Sequence, residues 1–189
     1  MNLEALKSTA AQMLGNGKGI LAADESTPTL GKRFDTINTE STAESRRRYR
    51  EMLFSAEGAN KYIGGVILFD ETLRQSNSDG VPFPQYLESL GIVPGIKVDS
   101  GAKSLAAFDG ETVTEGLDGL RDRLIEYYAL GARFAKWRAV INVNDSLPSE
   151  FCIRANSHAL ARYSALCQEQ SIVPIVEPEV LMDGDHSIS

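Results

Sequence analysis

A chain of 189 residues, 42% hydrophobic and 24% charged, is too apolar to be disordered, and its 16 glycines follow no fibrous period, so one packed domain spanning 1–189 is expected. Lys and Arg number 19 against 26 Asp and Glu; the net charge of −7 repels polyanions, which argues against nucleic acid or a membrane as partner but leaves room for a small phosphorylated ligand. No apolar run nears the roughly 20 residues that cross a bilayer, and the first fourteen residues lack a signal peptide's pattern, so the expected address is the cytoplasm.

Residues 15–19, Gly-Asn-Gly-Lys-Gly, precede an apolar segment instead of following one, so they read as a turn into a strand and not as a dinucleotide loop. The segment 19–24 (GILAAD) is the first predicted strand. Ser41-x-x-Glu44 then has capping-box spacing and opens a helix through Met52 and Leu53. Its run Arg46 to Arg50 is flanked by Glu44 and Glu51 and reads as a solvated face, from which an early-turn arginine could reach an anion. Strands follow at 65–69 (GVILF) and 95–99 (GIKVD). Over 112–130, Val113, Leu117, Leu120, Leu124 and Tyr127 recur at steps of four and three, which predicts a helix capped by Gly131. A strand at 134–141 (FAKWRAVI), a helix from Pro148 to about Gln170 and a strand at 173–180 (VPIVEPEV) complete the pattern. Cys152 and Cys167 share the apolar face of that helix and read as core thiols. His158 and His186 do not form a metal set, so no metal is expected.

Strand and helix alternate, which predicts a parallel α/β sheet; a doubly wound sheet and a barrel both satisfy the pattern. Strand starts at 19, 65, 95, 134 and 173 give a repeat of about 38 residues, longer than the roughly 30 of a compact βαβ unit. The excess lies in polar segments after the strands, at 25–40, 70–85, 100–111 and 142–148, where α/β folds build their sites.

Strands covered on both faces are usually apolar, because an unpaired buried charge costs several kcal/mol. Here Lys97 and Asp99, Lys136 and Arg138, and Glu177 and Glu179 each stand two apart, so each pair shares a face, and Asp24 ends the first strand. Either these are strand ends making ion pairs in solvent, or cations and carboxylates converge at the carboxyl ends of the strands. The second arrangement suits general acid/base work beside phosphate-binding lysines. Trp137 alternates away from both neighbours and is expected beneath the helices.

The blocks GKGILAADESTPTLGKRF, IGGVILFDETL, GIKVD, GLDGLRDRLIEYYALGARFAKWRAVI and ARYSALCQEQSIVPIVEPEVLMDGDHSI resemble the class I fructose-bisphosphate aldolases over nearly the whole chain. The resemblance implies a (β/α)8 TIM barrel with outer helices, of which the present strands make five of eight units, an incomplete barrel stopping after its fifth strand. It implies reversible cleavage of fructose 1,6-bisphosphate to dihydroxyacetone phosphate and glyceraldehyde 3-phosphate through a lysine Schiff base, with no metal or other cofactor, commonly in a homotetramer. Carried over, Asp24 is the aspartate that hydrogen-bonds substrate, and Lys136 sits near the reacting carbon. Glu177 is the general acid/base and Glu179 its partner. Lys97 contacts substrate, Arg33 and Arg138 are directed to its phosphates, and Arg46 matches an arginine also assigned to substrate binding. The family's Schiff-base lysine lies on the sixth strand, so none is expected in this chain, which should be inactive alone. The rival readings are a noncatalytic sugar-phosphate-binding or subunit-associating isoform and a phosphosugar isomerase.

Overall fold

A computed structural model describes residues 1–187. Helix α1, Leu3–Leu14, is capped by the Asn2 side chain, and a short 3-10 turn at Gly15–Gly17 leads into strand β1, Gly19–Ala23. The turn reading of this segment holds, with Asn16 and Gly17 both at positive φ. Strands β2 (Ile63–Leu68) and β3 (Val93–Lys97) follow, then β4 (Ala102–Ser104), β5 (Thr112–Thr114), β6 (Phe134–Ile141) and β7 (Val173–Val180). Five of them form one parallel sheet in the order β1-β2-β3-β6-β7, curled into half a barrel, and β4 and β5 pair separately as an antiparallel hairpin.

The sequence places these five strands to within two residues at each boundary, except that Asp24 and Asp99 fall just beyond the strand ends. The helices differ more. The polar segments conceal α2 (Thr27–Asp35), α5 (Asp70–Leu73) and the start of α6 (Phe83–Ser89), and α1 carries no expectation at all. Helix α3, Ala43–Phe54, is capped one residue later than predicted: Thr42 accepts from the Ser45 N–H while the Ser45 hydroxyl accepts from the Thr42 N–H. A one-turn helix α4, Ala59–Tyr62, precedes β2. The helix predicted over 112–130 survives only as α7, Leu120–Ala129. Thr112 and Thr114 are β-branched and donate their hydroxyls to the β6 carbonyls of Val140 and Arg138, at 2.8 and 2.7 Å. Gly116 and Gly119, both at positive φ, then turn the chain into α7. Helix α8, Glu150–Glu169, begins at the Ser149 cap and buries Cys152 and Cys167 as expected; burial raises the Cys167 thiol to about 12.

Two apolar layers sandwich the sheet. Outside, Leu68, Ile96 and Trp137 pack against Leu124 of α7 and Tyr163 and Cys167 of α8. Inside, Met13, Ile67, Val93 and Phe134 fill the floor of the half-barrel, closed by α1. Close approach requires glycine here. A Cβ on Gly64 would stand 2.0 Å from the Met13 carbonyl oxygen, and one on Gly95 would stand 2.3 Å from the Phe134 ring. With the floor sealed by side chains, polar groups gather at the other end of the strands.

Candidate active site

Alternation along β6 sends Trp137 outward into the core and Lys136 and Arg138 to the opposite, concave face. Lys136 Nζ lies 2.7 Å from Asp24 Oδ2 and 3.8 Å from Glu177 Oε2. Both members of the shorter pair are about nine-tenths buried. An ammonium desolvated to this degree is held by charge, and the carboxylates of β1 and β7 provide it from either side. Lys97, in register with Lys136 on β3, lies 3.6 Å from Asp99. The Asp99 carboxylate is buried and accepts the N–H groups of Gly101 and Arg138 at 3.0 and 3.3 Å, joining the end of β3 to β6. Arg138 donates to Glu179 and stands 3.9 Å from Glu177. The bond from Arg138 holds the Glu179 carboxyl below the ordinary range and raises the guanidinium in turn.

Six of the eight residues singled out from the sequence, Asp24, Lys97, Lys136, Arg138, Glu177 and Glu179, therefore share this face. The other two occupy the rim. Arg33 on α2 is paired with Glu25 and donates to the Tyr49 hydroxyl at 3.3 Å; the charge of Glu25 raises its already high pKa. Arg46 on α3 grips both oxygens of Glu71, at 2.8 and 2.6 Å, and donates to the Ser41 carbonyl at 2.9 Å. Among the described residues neither arginine forms an ion pair with Asp24, Glu177 or Glu179, the carboxylates around Lys136 and Arg138. The solvated-face reading of Arg46 to Arg50 is corrected: Arg48 is exposed, but Arg46 is largely covered and Arg50 is fully buried against Glu25. Arg50 stands four residues before Phe54, on the buried face of α3, a spacing that marks it in the sequence. Glu25 and Glu71 give no comparable signal, since only the fold brings them to the arginines.

A parallel sheet curled into half a barrel, with a buried lysine between carboxylates at the carboxyl ends of its strands, defines an incomplete (β/α) barrel whose polar cluster lies where that architecture places its sites. The family model described as fructose-bisphosphate aldolase class-I matches residues 5–189, and the chain belongs to that family. It is 62% identical over 188 residues to a protein named probable fructose-bisphosphate aldolase class 1 from Xanthomonas campestris pv. campestris, covering all of this chain and 56% of that one. It is 55% identical to cytosolic fructose-bisphosphate aldolase 6 of Arabidopsis thaliana, covering 98% of this chain and 52% of the relative. The Plasmodium falciparum aldolase, solved in complex with TRAP and a small-molecule inhibitor, superposes with a TM-score of 0.95 at 51% identity, over 98% of this chain and 54% of that one. The chain spans about half the length of the curated relatives it matches.

Proposed function

We propose that the protein cleaves fructose 1,6-bisphosphate reversibly to dihydroxyacetone phosphate and glyceraldehyde 3-phosphate, through an imine on a lysine beyond the fifth strand. The observation that carries this reading is the Lys136 ammonium held 2.7 Å from Asp24 and 3.8 Å from Glu177 on the concave face. A protonated imine at C2 draws the electrons of the C3–C4 bond as that bond breaks, and the C4 hydroxyl must give up a proton as it becomes the aldehyde. Asp24 and Lys136 stand together to hold that hydroxyl. Glu177, the more open carboxylate, moves protons during imine formation and release, with Glu179 beside it. Lys97 and Arg138, with Arg33 and Arg46 at the rim, bind the phosphate ends. The present residues form part of one barrel domain, and the whole protein acts in the cytoplasm as a homotetramer.

None of the lysines in the described strands takes the nucleophile's role in this scheme. Borohydride reduction with dihydroxyacetone phosphate should therefore trap an adduct on the intact protein and none on a polypeptide limited to these 189 residues. A stable adduct mapped to Lys136 or Lys97 would overturn the assignment.

A further inference from the structure

Arg50 is 1% exposed, and it donates to Glu25 twice, to the carboxylate and, at 2.9 Å, to the backbone carbonyl. Its Nε has no hydrogen-bond partner among the described residues. A buried ion pair is often no more stabilising than an apolar replacement, so packing alone is a weak reason for this cation. The second carboxylate oxygen of Glu25 is taken by Arg33, whose side chain is 56% exposed. Tyr49 links the two arginines: its hydroxyl accepts from Arg33, and its ring centroid lies 5.5 Å from the Arg50 guanidinium carbon. The neighbouring carboxylate, Glu71, is gripped by Arg46. Three arginines thus face two carboxylates, one positive charge is left over, and Arg33 is the member that presents it to solvent.

We infer that Arg50 is a positioning residue that supplies this surplus charge: by sharing Glu25, it keeps Arg33 a net cation able to hold a substrate phosphate. With Arg50 removed, Arg33 and Glu25 become a neutral pair, and a phosphate must compete with the carboxylate for the same guanidinium. The inference rests on the reading of Arg33 as a phosphate ligand.

Calorimetric titration of the intact protein with hexitol 1,6-bisphosphate tests it, because that probe has two phosphates and no carbonyl and so reports binding without imine formation. Binding by the wild type is read first, and its absence overturns the phosphate reading of Arg33 together with this inference. Given binding, Arg50→Met should weaken affinity tenfold or more, while Glu25→Gln should bind at least as tightly as wild type. The double variant R50M/E25Q removes one charge of each sign and should return to within threefold of wild type. A merely structural Arg50 gives a double variant no better than R50M, and that result, or an unchanged affinity in R50M, overturns the inference. Should R50M fail to fold, the order E25Q, then wild type and double variant together, still decides it: a double variant tenfold weaker than wild type sinks the proposal.

Discussion

At the scale of single residues, the concave face and its rim are built from pairs of opposite charge: Lys136 with Asp24 and Arg138 with Glu179 on the face, Arg46 with Glu71 at the rim. Charge placed in this way also fastens the elements that carry the site. Glu51 of α3 accepts the N–H and hydroxyl of Ser78, each at 2.7 Å, and a bond from Arg47 at the same distance. These bonds lower its carboxyl to about 2 from an ordinary 4.5. A depressed folded value contributes stability that is complete above the ordinary pKa and is lost as pH falls through the folded one. The melting temperature of wild type should therefore exceed that of Glu51→Gln at pH 6, with the gap closing as pH falls from about 4.5 to 2; thermal melts over that range check it, and a gap independent of pH refutes it. The strand charges were legible in the sequence because a two-residue spacing has one structural meaning, a shared face. Glu25 and Glu71 were not, because a residue in the loop after a strand, as Glu25 is, or in a one-turn helix, as Glu71 is, carries no period that says where it points.

At the scale of elements, strands were legible and several helices were not, for a physical reason. A buried strand in a parallel sheet is apolar on both faces, whereas α2 lies at the rim with six of its nine residues exposed, and α5, though half buried, is a single turn too short to show a helical period. The helix expected from residue 112 fails because Val113 and Leu117 fall in phase by chance, while Thr112 and Thr114 on either side of Val113 bond to β6. The floor of the half-barrel depends on an exchange of volume between strands, Gly95 leaving the space that the Phe134 ring fills. Gly95→Ala should cost about 1–3 kcal/mol, the usual penalty of overpacking. Phe134→Leu added to it should recover part of that loss, as read by denaturant unfolding; strictly additive losses would show that the two positions do not share the space.

At the scale of the whole molecule, β1 pairs with no strand but β2 and β7 with no strand but β6 among the described residues, so each forms a margin of the sheet with one side unpaired to any strand. The outer row of β7 adds Val176 and Val180, each about half exposed. Unpaired margins of this kind recruit other strands. A polypeptide of these 189 residues should self-associate at micromolar concentration in sedimentation experiments, and a dilute monomer with a sharp, cooperative melt would contradict this. Intact barrel closure removes such margins altogether.

The order of strands in the sheet is also their order in the chain. A ribosome extrudes β1 first, and each later strand of the sheet then emerges beside a neighbour already made, so the sheet can be laid down strip by strip with little chain left waiting. Some bonds depart from this rule, among them that of Lys136 to Asp24 and, at the extreme, the Asn2 N–H that meets the Ser171 hydroxyl at 2.9 Å across 169 positions of sequence. Residues made before any strand of the sheet thus find this partner only after α8 has emerged, and α1 begins its life as the cap on a floor that does not yet exist.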